Sequence, residues 1–139
     1  VQLPFTEPDT SSLTEIERAQ AIRLADVFLY GPAWMAQVIP HERTVRERAV
    51  LVFTGVSTLV FNLRNFIRFQ NQPPGVSPIV RKTQVQRLFD IPLALFWLLE
   101  AYNDDPSDLE RLLMFITGAG TTFFNGIAWA TNQSALSRL

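Results

Sequence analysis

The sequence predicts an all-α fold, a four-helix bundle made of two tandemly duplicated helical hairpins with an extended N-terminal arm. Three observations lead there. The stretch ERAVLVFTGVSTLVFN, beginning at Glu47, returns sixty-three residues later as ERLLMFITGAGTTFFN, beginning at Glu110. Aligned from Thr44 and Ser107 over nineteen positions, seven pairs are identical: Glu47/Glu110, Arg48/Arg111, Thr54/Thr117, Gly55/Gly118, Thr58/Thr121, Phe61/Phe124 and Asn62/Asn125. Chance would give about one identity, so duplication is the simpler account. Second, four capping boxes each open a long apolar-periodic segment: Ser12–Glu15, Thr44–Glu47, Thr83–Gln86 and Ser107–Glu110. In such a box a Ser or Thr oxygen and a Glu or Gln three residues on satisfy free backbone N–H groups at a helix start. Third, Arg23-Leu-Ala-Asp26 reappears as Arg87-Leu-Phe-Asp90 at a spacing of sixty-four, so the repeating unit is a hairpin and not a single helix.

The elements follow in order. Residues 1–11 carry two prolines and read as an extended arm. Helix α1 is expected over 12–39 and α2 over 44–71, which together make hairpin repeat 1 (12–71). Asn71-Gln-Pro-Pro-Gly-Val-Ser-Pro78 has turn chemistry, so 72–82 reads as a linker. Helix α3 is expected over 83–103 and α4 over 107–136, within hairpin repeat 2 (83–139). Gly31-Pro32 and Pro92 should kink α1 and α3, since proline removes a hydrogen bond and crowds the preceding turn. One hairpin cannot close a core and two can, which gives the duplication a structural purpose within a single domain of 139 residues.

Composition narrows the function classes. Hydrophobic residues make up 47% and charged residues 18%, where about 25% charged is usual, and mean hydropathy is +0.12. So apolar a chain needs its surface covered by partners or by lipid. Net charge is −1 with dispersed arginines, which argues against a nucleic-acid footprint. Without cysteine, disulfides and thiolate metal sites are ruled out. The segment opens without the basic and apolar regions of a signal peptide, and Val1 suits a terminus left by methionine removal.

Glu47 and Glu110 are expected to cap their helices. Gly55 and Gly118 each cost about 1 kcal/mol relative to Ala inside a helix, so close approach of another helix backbone is expected there. Phe61 and Phe124 read as core aromatics. Thr54, Thr58 and Asn62, like Thr117, Thr121 and Asn125, form a four-residue-spaced polar stripe. Counting back from the turn, Asp26 should face Thr58 and Asn62, and Asp90 should face Thr121 and Asn125, with Arg23 and Arg87 one turn away. Such a cluster is either a wet face, a polar network setting register, or a small binding site. No catalytic signal accompanies it, and no enzyme is expected. His41 is a lone histidine in a turn, the Glu-x-x-His of a di-metal bundle is missing, and there is no phosphate loop or nucleophile elbow. The acidic turn Asn103–Asp105 with Asp108 reads as a charge bias at a helix start and not as a metal site. No cofactor is expected.

From Leu112 to Ser137 the chain is free of charge, long enough to cross a bilayer, but Thr117, Gly118, Gly120, Thr121, Thr122, Asn125 and Gly126 lower its hydrophobicity. The matching span Ala49–Leu63 is fifteen residues and ends in Arg64 and Arg68. On this count a bundle with protein-covered faces is favoured over membrane insertion. Asp-Val-Phe-Leu-Tyr-Gly-Pro at 26–32, followed by Thr58-Leu-Val-Phe-Asn62, resembles small helical-hairpin proteins of large DNA viruses and phages. The likeness covers Asp26 to about Asn65 and is partly kept in the second half, where Gly-Pro is lost at Phe96-Trp97. It implies a virion component or a membrane-proximal viral protein, and carries no active residue with it. The expectation is therefore a non-enzymatic structural or assembly protein in a homo- or hetero-oligomeric complex. Its arm would place Val1, Leu3 and Phe5 on a neighbouring subunit. A membrane-associated helical protein and a small-ligand-binding bundle are the alternatives, with location in the virion, the cytoplasm or at a membrane accordingly.

Overall fold

A computed structural model describes residues 20–70 and 78–137. Among these the secondary structure is all-α, with four helices and no strand. The arm 1–11 with Val1, Leu3 and Phe5, the box Ser12–Glu15 and most of the expected linker lie outside the described residues. Helix α1 covers 20–38. Within it, a π-helical segment, Asp26–Tyr30, is followed by an α segment, Gly31–Met35, and a 3-10 turn, Ala36–Val38. Helix α2 is Val45–Gln70, α3 is Pro78–Tyr102 and α4 is Asp108–Leu136.

Two boundaries differ from expectation. Helix α3 begins at Pro78, so residues 78–82 are helical and not linker, and Thr83–Gln86 lies inside the helix and is not its cap. Proline suits a first helical position, where its missing N–H would have no partner anyway. Helix α3 also runs through Pro92 without interruption. The break falls in α1 alone, where the Gly31 N–H reaches back five residues to the Asp26 carbonyl just before Pro32. This widened turn relieves the crowding that proline imposes on the turn ahead of it. It also accounts for the unequal repeat spacing. Asp26 and Asp90 are sixty-four apart, whereas Trp34 and Trp97, both buried, are sixty-three apart, like the α2 and α4 matches. The extra residue of the first repeat therefore lies between Asp26 and Trp34, where a π turn can absorb it.

The chain divides into two compact units, one holding α1 up to Ala36 with α4 from Phe115, the other running from Gln37 to Met114. Each unit joins the first helix of one repeat to the second helix of the other. In the first, Gln20 Nε2 donates to the Trp129 carbonyl at 2.8 Å, and Gly31 and Met35 lie against Gly118. In the second, Arg48 donates to the Ala101 carbonyl at 3.3 Å and Gly55 lies against Leu98. Residue numbers across both pairs add to between 149 and 153, so the two units share one antiparallel register.

The repeated glycines stand at the close approaches, as their spacing implied. A Cβ on Gly118 would lie 2.7 Å from the Met35 backbone nitrogen and 2.8 Å from the Gly31 carbonyl oxygen. One on Gly55 would meet the Leu98 side chain at 2.9 Å, and one on Gly120 would meet nothing within 4 Å. Phe61, by contrast, is exposed and not a core aromatic. Substitution by alanine should separate the three glycines in thermal or denaturant unfolding. G118A should destabilise by about 1–3 kcal/mol because backbone cannot give way. G55A should cost less, since Leu98 can turn aside. G120A should gain about 1 kcal/mol from helix propensity. Equal effects at Gly118 and Gly120 would contradict the close approach.

Candidate functional site

Polar side chains concentrate at one end of the second unit, where the 39–44 and 103–107 connections meet the starts of α2 and α4. The local sequence builds it through its caps. At α2 the Glu47 N–H donates to Thr44 Oγ1 at 3.1 Å. At α4 the box is complete, with Glu110 N–H to Ser107 Oγ and Ser107 N–H to Glu110 Oε2, both 3.2 Å. The two repeated glutamates also accept from outside their caps. Glu47 Oε1 takes Gln37 Nε2 at 2.8 Å, and Glu110 Oε2 takes Asn103 Nδ2 at 2.8 Å. Asn103 in turn holds the acidic connection through its Oδ1, which accepts the Asp105 N–H at 3.1 Å.

Arg43 is the centre of the cluster. Its Nε donates to Gln37 Oε1 at 2.8 Å, and one Nη donates to the carbonyls of Glu100 at 2.6 Å and Asn103 at 2.8 Å. Arg48 adds a bond to the Ala101 carbonyl and an ion pair with the exposed Asp104. Two arginines thus cap the C-terminal end of α3, where backbone N–H partners run short, although the Glu100 carbonyl also accepts the Asn103 N–H at 3.1 Å. Helix α3 has no basic residue of its own in that last turn. Desolvation, followed by the nearby Arg48 charge, lowers the Arg43 pKa from its usual value. Glu100 is buried there too, and its Oε2 has no hydrogen-bond partner.

His41 is not simply solvated. Nδ1 lies 2.6 Å from the Ile39 carbonyl oxygen and Nε2 lies 2.6 Å from Glu47 Oε1. Two acceptors facing two ring nitrogens favour the doubly protonated imidazolium. The Ile39 carbonyl first, and the Glu47 carboxylate second, raise its pKa above the ordinary value.

The residues that the sequence grouped as a polar cluster are distributed between the units. Asp26 and Thr58 fall in different units, as do Asp90 and Thr121. The shared register puts Asp26 level with Asn125, and Asp90 level with Asn62. Both acids are partly buried, as are Arg23 and Arg87. Arg23 donates to Gln20 Oε1 at 3.2 Å. Asn62 Nδ2 donates to the Thr58 carbonyl and Asn125 Nδ2 to the Thr121 carbonyl, both at 2.8 Å, so the repeated Thr and Asn bond along their own helix. Thr54 is fully buried and donates to the Leu51 carbonyl at 2.9 Å.

Sequence reasoning missed Gln37, Arg43, Glu100 and Asn103. The only signal was the repeated Glu-Arg pair, Glu47-Arg48 and Glu110-Arg111, whose arginines received no role. Among the described residues no group of three metal-ligating side chains is present. No family model, curated protein or solved structure matches the chain.

Two outcomes test this cluster. R43K should destabilise by about 2–3 kcal/mol in denaturant unfolding, since an ammonium cannot reproduce a fork that serves several acceptors. Lysine tolerated without loss would remove Arg43 from its central place. For His41, the folded pKa lies above the unfolded one. Its stabilising effect is therefore complete below about pH 6.5 and is lost as pH rises through the elevated value. NMR titration of the imidazole should give a midpoint above 6.5 that falls towards it in E47Q. A wild-type midpoint at or below 6.5 would show that the two contacts do not favour the cation.

Proposed function

We propose that the chain is a non-enzymatic, membrane-embedded helical protein whose apolar faces are covered by lipid. The observation that carries this is the exposure of its longest apolar helices. The candidate spans Val45–Ile67 and Asp108–Ser134 have mean hydropathies of 1.5 and 1.3, yet only 22% and 17% of those windows are buried. A soluble protein's core helix of that composition would be mostly buried. Helix α2, with 26 residues, is about 39 Å long, enough for a hydrocarbon layer of about 30 Å. Phe28, Phe89, Leu99 and Phe123 are each more than 70% exposed, which a water-facing surface would not favour.

The polar residues that weakened the membrane reading in sequence carry less weight once their bonds are known. Thr122 donates to the Gly118 carbonyl at 3.0 Å, Thr131 to Ile127 at 2.9 Å, and Asn62 and Asn125 to carbonyls four residues back. A side chain whose donor is satisfied along its own helix can face hydrocarbon at modest cost. The charges support an orientation. From Arg64 to Arg87 there are five basic residues and no acid, while the opposite end mixes four arginines, Arg43, Arg46, Arg48 and Arg111, with six acids, Glu42, Glu47, Asp104, Asp105, Asp108 and Glu110. The rule that basic loops stay in the cytoplasm puts the Arg64–Arg87 end inside. The resemblance at Asp26–Pro32 and Thr58–Asn62 adds a virus-encoded, membrane-proximal setting to this proposal. The assembly reading rested on the arm, and protein subunits remain the alternative cover for the same faces.

The lack of native cysteine makes the test direct. Gln70→Cys and Asp105→Cys stand at opposite ends of the α2–α3 pair. In intact cells an impermeant thiol reagent should label Asp105→Cys, and should reach Gln70→Cys only after permeabilisation. The protein should stay in the membrane pellet after alkaline carbonate. Release by carbonate into the soluble fraction would sink the membrane reading and favour protein-covered faces.

A further inference from the structure

At the polar end of the second unit lies a cleft of about 310 Å³ lined by His41, Glu42, Arg43, Arg48, Asp104, Pro106 and Arg111. We propose that it binds a phosphate group, carried either by a soluble phosphate ester or by a lipid headgroup.

The repeat supplies the reason. In each copy of the Glu-Arg pair the glutamate is held by neighbouring side chains, and neither glutamate lines the cleft itself. Glu47 is held by Gln37 and His41, and Glu110 by Asn103 and its own cap. The partner arginines, Arg48 and Arg111, both line the cleft, so duplication brings two copies of one cation to one place. Arg43 joins them. Its hydrogen bonds go to Gln37, to two backbone carbonyls and to Met114 Sδ, all neutral, so its charge is not cancelled by the groups it bonds. Arg111 makes one long bond, 3.4 Å, to the Gln37 carbonyl, also neutral. Three guanidiniums therefore line the cleft with two carboxylates, Glu42 and Asp104, both exposed, while the His41 imidazole is already paired with Glu47.

Guanidiniums crowded together repel, and each gains when an oxyanion enters. Desolvation is the main cause of the depressed Arg43 pKa, and the Arg48 and Arg111 charges add to it against the opposing Glu47 and Glu100 carboxylates. Phosphate fits better than a carboxylate, because several forks arriving from α4, from the start of α2 and from the connection before it need more than two acceptor oxygens. The volume leaves room for a substituent on the phosphorus. The Arg48–Asp104 pair acts as a placeholder: Asp104 is 80% exposed at its side chain, so it is well solvated and readily displaced. The inference does not depend on the membrane reading. If the helices do lie in lipid, the cleft sits where phosphate headgroups are densest.

The test uses the full chain in a maltoside detergent, which carries no phosphate. Binding is followed by NMR of the arginine Nε–H signals and by 31P line broadening. One arm adds inorganic phosphate, with chloride at equal ionic strength as control. The other adds phosphatidylglycerol to the micelles. R111Q should weaken binding about tenfold, the loss of one charge-assisted interaction, whereas D104N should tighten it about threefold by freeing Arg48. Binding of inorganic phosphate with this pattern supports a soluble phosphate ester. Broadening of the lipid phosphorus alone, with the same pattern, supports a headgroup site. Should R111Q fail to fold, D104N decides: tighter binding supports the site, and unchanged or weaker binding overturns it. Phosphate effects equal to those of chloride, with no lipid broadening, also overturn it. A failed carbonate extraction would leave this result untouched, so the two proposals can fall separately.

Discussion

The structure of the second unit depends on how the C-terminus of α3 is closed. A helix end leaves carbonyls without partners, and here α3 supplies no basic side chain in its last turn. Arg43, in the connection before α2, and Arg48, in its first turn, take the Glu100, Ala101 and Asn103 carbonyls. That choice has several results at once. It locks the α2–α3 register at its polar end and ties the two short connections together. It draws Gln37 and Glu47 into the network, and it collects positive charge around one cleft. Among the described residues the hydrophobic core of this unit is thin, with Leu51, Ala94, Trp97, Ala101, Pro106 and Met114 as its buried apolar side chains. Directional bonds at the helix ends therefore matter more here than in a protein with a deep core.

Much of the fold was legible in the sequence. The four helices, the α2 and α4 starts at Thr44 and Ser107, and the function of Gly55 and Gly118 follow from caps and from the cost of glycine in a helix. What could not be read was partner choice. The duplication makes α2 and α4 near-equivalent surfaces, with the same glycine, threonine and asparagine at the same intervals. Either could receive the acidic face of α1 or α3 at almost the same register, so counting residues back from a turn selects a partner only by assuming that neighbours in sequence pair. Asp26 and Asn125 sit level for this reason, as do Asp90 and Asn62.

The candidate site was less legible still. His41, Arg43 and Gln37 lie in or beside an irregular connection, where no periodicity reports direction. The partners that hold Arg43 to α3 are backbone carbonyls some sixty residues away, at Glu100 and Asn103. A carbonyl carries no sequence identity, so no pairing of residue types could have announced the contact. The repeated Thr and Asn show the opposite limitation. Their spacing was visible, but their hydrogen bonds close inside one helix, and a stripe that looks hydrophilic on paper presents few unsatisfied groups to its surroundings.

The π segment of α1 bears on how the molecule came to be. The two halves are descendants of one ancestral hairpin, and the second half preserves the shorter frame between its acid and its tryptophan. A one-codon difference between the halves would have rotated everything beyond it had the helix stayed α-helical. The widened turn at Asp26–Tyr30 stores that residue locally, and Trp34 keeps a buried place like that of Trp97. Such a lineage can take up small length changes one at a time, each sealed within a turn, while the buried side chains on either side keep their places.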